Sequence, residues 1–214
     1  MNNDIVIIGA GGHAKVVIDT IEQGEFSVIG LTDANYRALP ECMGYHVLGN
    51  DQILEALYEE KNVRYAAMGI GHVGYPNVRN KVYKYAKRLG FVFPSLIHPS
   101  AVVAETSTVG EGSLCGAQTV VNPEACIGCM CIINSSAVIE HEVIVEDGVH
   151  VAPRTVLLGG ASVGKNSFIG AGSVVLQGVH IGSNCIIGAG TVVLKDIEDN
   201  CVIVGNPGRV IKRR

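Results

Sequence analysis

The feature that most constrains this chain of 214 residues is an apolar residue at every sixth position from Ile97 to Val193, seventeen positions without a break. The residue four places later is nearly always small or β-branched, and glycine often follows the apolar position directly. This repeat is typical of a parallel β-helix, in which each hexapeptide supplies one strand and one corner of a triangular prism. The apolar residue points inward, and the small residue lets the chain turn.

The repeat also predicts the size of the prism. Seventeen hexads reach from Ile97 to Glu198, which gives about 5.7 coils of 18 residues and a height of about 27 Å at a strand spacing of ~4.8 Å. Because no insertion interrupts the hexads, we expect no long loop arm within the prism.

Residues 1–92 follow a different pattern, in which β-like runs such as DIVIIG, FSVIGLTDA and VRYAAMGIG alternate with helix-like stretches such as HAKVVIDTIEQ and NVRNKVYKYAKRLG. This alternation predicts a small α/β domain with a parallel sheet, similar to half of a Rossmann fold. We therefore expect two domains, residues 1–92 and an all-β domain at residues 93–214.

A glycine-rich turn follows the first predicted strand. Gly9-Ala10-Gly11-Gly12-His13-Ala14 fits the pattern G-x-G-x-x-A, and Asp33 ends the next strand. Such glycines admit a phosphate to a helix N-terminus, and the acid can hold a ribose hydroxyl. The domain is too short for a complete dinucleotide fold, so a nucleotide or nucleotide sugar is favoured over NAD, while a purely structural turn stays possible. Gly69, Gly71 and His72 should lie at the same sheet edge.

Three ionisable residues, Glu140-His141-Glu142, lie among aliphatic residues. The register turns Ile139 inward and leaves the triplet outside, near a corner. The triplet is either a solvated turn or a general base, because a carboxylate bonded to one imidazole nitrogen leaves the other free to accept a proton. His150 lies half a coil farther round, so only a neighbouring subunit could join it to His141 in one site.

Charge and hydropathy exclude several classes of partner. The net charge of −4 and the pI near 6.0 give no basic field for nucleic acid. No segment approaches the ~20 apolar residues of a membrane span, and the N-terminus does not have the pattern of a signal peptide. We expect a cytoplasmic protein with neither a membrane nor a nucleic-acid partner.

Cysteine and histidine spacing gives little support for metal. The seven cysteines include Cys126, Cys129 and Cys131, but a second CxxC or a histidine pair at zinc spacing is missing, so small packed residues are favoured over a redox or metal site. Some β-helix enzymes hold zinc between subunits with HxxxxH pairs, which the gap from His141 to His150 does not match. We expect no metal ligands.

Several spaced motifs together resemble a known family: the Gly-Ala-Gly-Gly-His start, the hexapeptide stretch NSSAVIEHE from Asn134 to Glu142, the later His150, and the tail VGNPGRV from Val204. They are similar to the bacterial sugar O/N-acyltransferases, which include sialic-acid O-acetyltransferases and amino-sugar N-acetyltransferases. The resemblance implies a left-handed β-helix homotrimer that binds acetyl-CoA between adjacent prisms. It also implies a nucleotide-linked amino sugar in the N-terminal domain and no permanently bound cofactor.

The resemblance assigns roles to matching residues. His141 would be the catalytic base and Glu142 would orient it, Asn134 would line the same pocket, and His150 would approach the thioester. Gly159 would offer a backbone N–H to the acetyl carbonyl. Acetyl-CoA would also contact Gly205 and Pro207, although Gly208-Arg209 stands where relatives commonly have Ala-Lys. The sugar nucleotide would contact Gly11, Gly12, His13, Asp33, Gly69 and Gly71.

The leading hypothesis is acetyl transfer to the 4-amino group of a nucleotide-linked 4-amino-4,6-dideoxy sugar. One alternative is O-acetylation of a sialic acid or a related sugar hydroxyl. Another is a non-catalytic module that binds nucleotide sugars or mediates assembly, and a further one is an NAD-dependent enzyme.

Overall fold

A computed structural model describes residues 3–74 and 76–214. The chain divides into two compact units. One unit comprises the residues up to Gly71 together with Asn77–Pro99, and the other comprises His72–Pro76 together with Ser100–Arg214. The main division therefore lies after Pro99, later than the expected boundary between residues 92 and 93.

The N-terminal unit is an α/β domain, as predicted. The elements are β1 (Asp4–Ile8), α1 (Gly12–Glu22), β2 (Ser27–Thr32), β3 (Glu41–Cys42), β4 (Tyr45–Gly49), α2 (Ile53–Glu59), β5 (Tyr65–Met68), α3 (Asn77–Leu89) and β6 (Leu96–Ile97). The sheet has the strand order β3-β4-β2-β1-β5, in which β1, β2, β4 and β5 are parallel and β3 is antiparallel to β4.

The hairpin formed by β3 and β4 was not predicted from the sequence. Its two-residue loop is Met43-Gly44, and both residues have positive φ, 49° and 81°. This is the backbone geometry that tight hairpins prefer, but Asn-Gly or Asp-Gly is its usual sequence signal. Because methionine occupies the first position of the loop, the sequence does not carry this signal.

The second unit is a left-handed parallel β-helix, which confirms the predicted fold class. The strands from β7 (Val102–Val103) to β22 (Val192–Val193) pair in parallel at a spacing of 18 residues and form three faces, and the last strand of the chain is antiparallel to the strand before it. They are β7 (Val102–Val103), β8 (Thr108–Val109), β9 (Leu114–Cys115), β10 (Val120–Val121), β11 (Cys126–Ile127), β12 (Ile132–Ile133), β13 (Val138–Ile139), β14 (Ile144–Val145), β15 (His150–Val151), β16 (Val156–Leu157), β17 (Ser162–Val163), β18 (Phe168–Ile169), β19 (Val174–Val175), β20 (His180–Ile181), β21 (Ile186–Ile187), β22 (Val192–Val193), β23 (Cys201–Val204) and β24 (Arg209–Arg213).

The inward register agrees with the six-residue repeat over most of the prism. Every repeat position from Cys115 to Val193 is buried, and the small or β-branched residue four places later is buried with it from Cys115 to Ile187. Several buried hydroxyl groups donate hydrogen bonds to backbone carbonyl oxygens; for example, Thr155 Oγ1 donates to the Gly170 carbonyl oxygen over 3.0 Å. The fourth residue of many hexads has positive φ near 60°, which makes the corner.

Both ends of the repeat depart from the prediction. Ile97 is 44% exposed rather than turned inward, and it belongs to the N-terminal unit. At the other end, Ile181 pairs with Ile197 and Ile187 with Ile203, so the spacing shortens from 18 to 16 residues and the hexad predicted to end at Glu198 is incomplete. Asp196 permits the shortening, because its Oδ1 accepts the His180 N–H over 2.8 Å.

Within residues 3–74 and 76–214, the structure contains no helix that is both long enough and apolar enough to cross a membrane.

Candidate active site

His141 and Glu142 form a hydrogen-bonded pair at the corner after β13. The preceding Ile139 is fully buried, whereas the side chains of His141 and Glu142 are 54% and 63% exposed, as the register predicts. His141 Nδ1 lies 3.0 Å from Glu142 Oε2. When Nδ1–H donates to this carboxylate, Nε2 is left as the proton acceptor. Glu142 has φ of 60°, so the corner itself turns its carboxylate back towards the preceding imidazole.

Gly159 lies against the imidazole from the next coil, 18 residues farther along the chain. A Cβ atom at Gly159 would come within 2.5 Å of His141 Nε2. The Gly159 N–H has no acceptor among the described residues, whereas at the equivalent corner position of Cys129 the N–H donates to Asp147 Oδ1 over 2.9 Å. The structure therefore places an available backbone donor beside the candidate base.

Asn134 and His150 form a second cluster, on another face of the prism. His150 Nδ1 donates to the His72 carbonyl oxygen over 2.7 Å, and Asn134 Nδ2 lies 3.2 Å from His150 Nε2. Asn134 Oδ1 accepts the Ser135 N–H over 2.8 Å, which fixes the amide so that Nδ2 faces the imidazole. In this arrangement Nδ1 of His150 is the hydrogen-bond donor and Nε2 is the acceptor.

The two clusters lie on different faces of one chain. His141 follows β13, while Asn134 and His150 belong to the face built from β12 and β15. Within the chain, Asn134 therefore contacts His150 and does not share a pocket with His141. His72 was expected at the edge of the N-terminal sheet, but it packs on the β-helix, where its Nε2 lies 3.0 Å from the Gly148 carbonyl oxygen.

The glycine-rich turn of the N-terminal unit presents unpaired backbone donors. Gly11 is the N-cap of α1, and neither Gly11 N–H nor Gly12 N–H has an acceptor within the described part of the chain. His13 lies in the first helical turn, where a Cβ on Gly71 would come within 3.2 Å of its Cβ. These groups form the kind of helix terminus that attracts phosphate.

Asp33 organises this turn from the end of β2. Its Oδ2 accepts the Ala10 N–H over 2.9 Å, and its Oδ1 accepts the Asn35 N–H over 2.8 Å. Each carboxylate oxygen keeps a further lone pair, so a ribose hydroxyl could still donate to it. The structure thus gives Asp33 a role in shaping the turn that the sequence did not indicate.

The turn after β5 meets the glycine-rich turn at the carboxyl edge of the sheet. A Cβ on Gly69 would come within 2.6 Å of the Gly9 carbonyl oxygen, and one on Gly9 would come within 2.5 Å of Ile70 Cγ1. The absence of side chains at Gly9 and Gly69 is therefore a requirement of packing, and Gly69 and Gly71 lie where the sequence predicted.

A pocket near the end of the β-helix contains part of the predicted acetyl-CoA contact. Pro207 lines it with Gly208, Lys195 and Arg209, whereas Gly205 is not among its lining residues. Lys195 and Arg209 could pair with phosphate groups. No role was predicted from the sequence for Lys195, which is a single cation on an exposed segment.

The three cysteines at positions 126, 129 and 131 differ in burial. Cys126 is exposed, Cys129 is half-buried and Cys131 is buried, and none of the three forms a disulfide within the described part of the chain. Burial raises the pKa of the Cys115 thiol to about 12, with a smaller contribution from nearby Cys131. Among the described residues, no three of the His, Cys, Asp and Glu side chains are arranged to hold a metal ion.

Two families match parts of this chain. The PglD N-terminal domain matches residues 4–86, and the bacterial transferase hexapeptide (six repeats) matches residues 160–195. The chain is similar to PerB from Caulobacter crescentus, crystallised with CoA and GDP-perosamine, at 36% identity and a TM-score of 0.92 over 98% of this chain and 97% of that chain. This chain belongs to the bacterial sugar O/N-acyltransferase family.

A second member of the sugar O/N-acyltransferase family is also similar to this chain over nearly its full length. The acetyltransferase domain of PglB from Neisseria gonorrhoeae FA1090, in complex with acetyl coenzyme A, is 31% identical with a TM-score of 0.91, and the match covers 99% of this chain and 100% of that chain. The family resemblance inferred from the sequence is therefore confirmed.

Proposed function

We propose that this protein transfers the acetyl group of acetyl-CoA to the 4-amino group of a nucleotide-linked 4-amino-4,6-dideoxy sugar, with His141 as general base. The observation that carries the proposal is the arrangement of His141, Glu142 and Gly159 within a chain similar over nearly its full length to an enzyme crystallised with CoA and GDP-perosamine. Structures of the H141N and H141A variants of that Caulobacter enzyme concern a histidine with the same number as His141 here.

The proposed chemistry uses His141 Nε2 as the proton acceptor and the Gly159 N–H as the hydrogen-bond donor. The sugar amine attacks the thioester carbonyl carbon, the C–N bond forms, and His141 Nε2 accepts the proton that the nitrogen loses. Glu142 stabilises the resulting imidazolium through Nδ1–H. The Gly159 N–H donates to the carbonyl oxygen as negative charge develops there. The C–S bond then breaks, and the departing CoA thiolate takes a proton from the imidazolium.

The N-terminal unit would bind the nucleotide part of the nucleotide-linked amino sugar, which is the acetyl acceptor. The unpaired N–H groups of Gly11 and Gly12 suit a diphosphate, and Asp33, His13, Gly69 and Gly71 surround the same sheet edge. The proposal thus assigns sugar-nucleotide binding to the domain expected at residues 1–92. Acyl transfer falls to the domain expected at residues 93–214.

The complete site would require a second copy of the chain. His141 and Glu142 are half exposed, and the cluster of Asn134 and His150 lies on a different face. The outward side of the face containing β13 also carries a column of six valines, which suits self-association. We infer a homotrimer in which His150 and Asn134 of one copy approach His141 of another, with acetyl-CoA between them and Pro207 and Gly205 near its nucleotide end. The proposal also keeps the cytoplasmic location expected from the sequence.

The direct experiment is an acetyl-transfer assay with a panel of GDP-, UDP- and dTDP-linked 4-amino-4,6-dideoxy sugars. Release of free CoA should depend on one of these sugars, and mass spectrometry should locate the acetyl group on nitrogen. Because Cys126 is exposed, reactions without sugar correct for protein thiols that react with the detection reagent.

Other results would select other functions. Transfer to a sialic acid or to a sugar hydroxyl, without transfer to any amino sugar, would establish O-acetylation. Binding of a nucleotide sugar without any CoA release would indicate a non-catalytic module. Sedimentation velocity tests the trimer separately, and a monomer at assay concentration would contradict the shared site.

A further inference from the structure

Arg79 is a charged side chain in an unusually buried position. It lies in the first turn of α3 and is only 2% exposed, which places it among the most deeply buried large side chains of the chain. Burying a guanidinium is costly unless its donors are satisfied, so such a residue is retained where its hydrogen bonds have a structural or functional purpose.

A hydrogen bond from Arg79 reaches the turn after β5. Arg79 Nε donates to the carbonyl oxygen of Ile70 over 3.0 Å. Ile70 stands between Gly69 and Gly71, the two glycines assigned to the sugar-nucleotide site. The guanidinium therefore fixes the orientation of the peptide plane that joins Ile70 to Gly71.

That orientation decides where the Gly71 N–H points. In a trans peptide, the carbonyl oxygen and the following N–H point in opposite directions. With the Ile70 carbonyl held by Arg79, the Gly71 N–H is directed to the opposite side of the plane, and it has no acceptor within residues 3–74 and 76–214. Since Gly71 lies against His13, this donor is close to the N-terminus of α1.

We propose that Arg79 is a positioning residue of the sugar-nucleotide site, which holds the Ile70 carbonyl so that the Gly71 N–H serves the diphosphate together with Gly11 and Gly12. Arg79 itself does not contact the ligand. The inference rests on the proposed function, because it assigns the Gly69–Gly71 turn to the binding of a nucleoside diphosphate.

The test compares the binding of GDP, UDP and dTDP by isothermal titration calorimetry with steady-state kinetics. Arg79→Met keeps an unbranched stem in place of the arginine stem but removes the charge and the donors. We expect it to weaken the tightest-binding diphosphate by about tenfold, as for the loss of a charge-assisted hydrogen bond. The KM for the sugar nucleotide should rise with it, while kcat and the KM for acetyl-CoA stay within about twofold. Arg79→Lys can still donate to the carbonyl and should restore part of the affinity.

Val82→Ala is the matched control, because Val82 is also buried on α3. It should lower the melting temperature without changing diphosphate affinity. Wild-type affinity in Arg79→Met, an equal loss in Val82→Ala, or no recovery in Arg79→Lys would each overturn the positioning role. If Arg79→Met does not fold, Arg79→Lys decides: a raised KM for acetyl-CoA alone, or unchanged diphosphate binding, would contradict the proposal. If the wild-type protein binds none of the three diphosphates, the proposed function fails instead, and the positioning role with it.

Discussion

His141 Nδ1 lies 3.0 Å from Glu142 Oε2, and the Nε2 atom of the same ring faces the backbone of Gly159. Three groups thus meet at one corner. The side chains of His141 and Glu142 come from a single turn, and the backbone of Gly159 comes from the next coil. A proton acceptor and an available N–H donor lie side by side, which is the arrangement that acyl transfer to an amine requires.

Replacing the candidate base should abolish transfer without unfolding the protein. We expect His141→Asn to lower kcat by about 10²- to 10⁴-fold, because the amide of asparagine cannot accept the proton in place of Nε2. The side chain is half exposed, so the melting temperature should stay within ~2 °C of the wild-type value. The assay is CoA release at saturating substrates. His46→Asn, at an exposed position of β4, is the control and should retain activity.

Removing the charge of the orienting carboxylate should have a smaller effect. Glu142→Gln keeps an oxygen near His141 Nδ1 but no longer stabilises the imidazolium, so we expect kcat to fall by roughly tenfold. The KM values for both substrates should change little, since Glu142 acts through His141. Full activity in this variant would show that the pair is an ordinary surface hydrogen bond.

Adding one methyl group at Gly159 should separate activity from stability. In Gly159→Ala, the new Cβ would come within 2.5 Å of His141 Nε2, so the imidazole must move and we expect kcat to fall by at least about tenfold. Gly172→Ala is the control: its Cβ would meet open space, but its φ of 67° is unfavourable for alanine. The control should cost about 1–2 kcal/mol of stability and retain activity. Urea unfolding and CoA release should therefore rank the two variants in opposite orders.

The buried Cys115 thiol should make the protein less stable in alkaline solution. Its pKa is raised from 9.0 to about 12 by burial, so below pH 9 the thiol is protonated in both folded and unfolded states. As the pH rises from 9 towards 12, the unfolded chain releases this proton first, and the free energy of unfolding falls by up to about 1.4 kcal/mol per pH unit.

The measurement is urea unfolding of the wild type and of Cys115→Ala across this range. The variant should be less stable at neutral pH, because it leaves a small cavity, but its stability should fall less steeply above pH 9. Cys126→Ala, at an exposed position, should keep the wild-type slope. Parallel slopes for all three proteins would contradict the assignment to Cys115.

The predictions succeeded where the sequence pattern was long and regular. The six-residue period fixed the inward positions from Cys115 to Val193, and the register placed His141 on the outside. They failed where a single residue departed from the pattern expected for its position. The Asp196 side chain accepts a hydrogen bond in place of a backbone carbonyl, and the last coil is shortened to 16 residues. Met43 occupies a position of a tight hairpin turn where asparagine or aspartate is the usual sequence signal.

The sequence by itself determined the two architectures and the outward position of His141 and Glu142, because periodicity requires only that apolar side chains avoid water. Its spaced motifs determined the family. Only the tertiary structure decided which groups meet: Asn134 with His150, His72 with the β-helix, and Arg79 with the Ile70 carbonyl. These contacts join segments far apart in the chain or depend on the direction of one hydrogen bond. Neither composition nor period records such directions, so the residues that hold the site in place were found only from the fold.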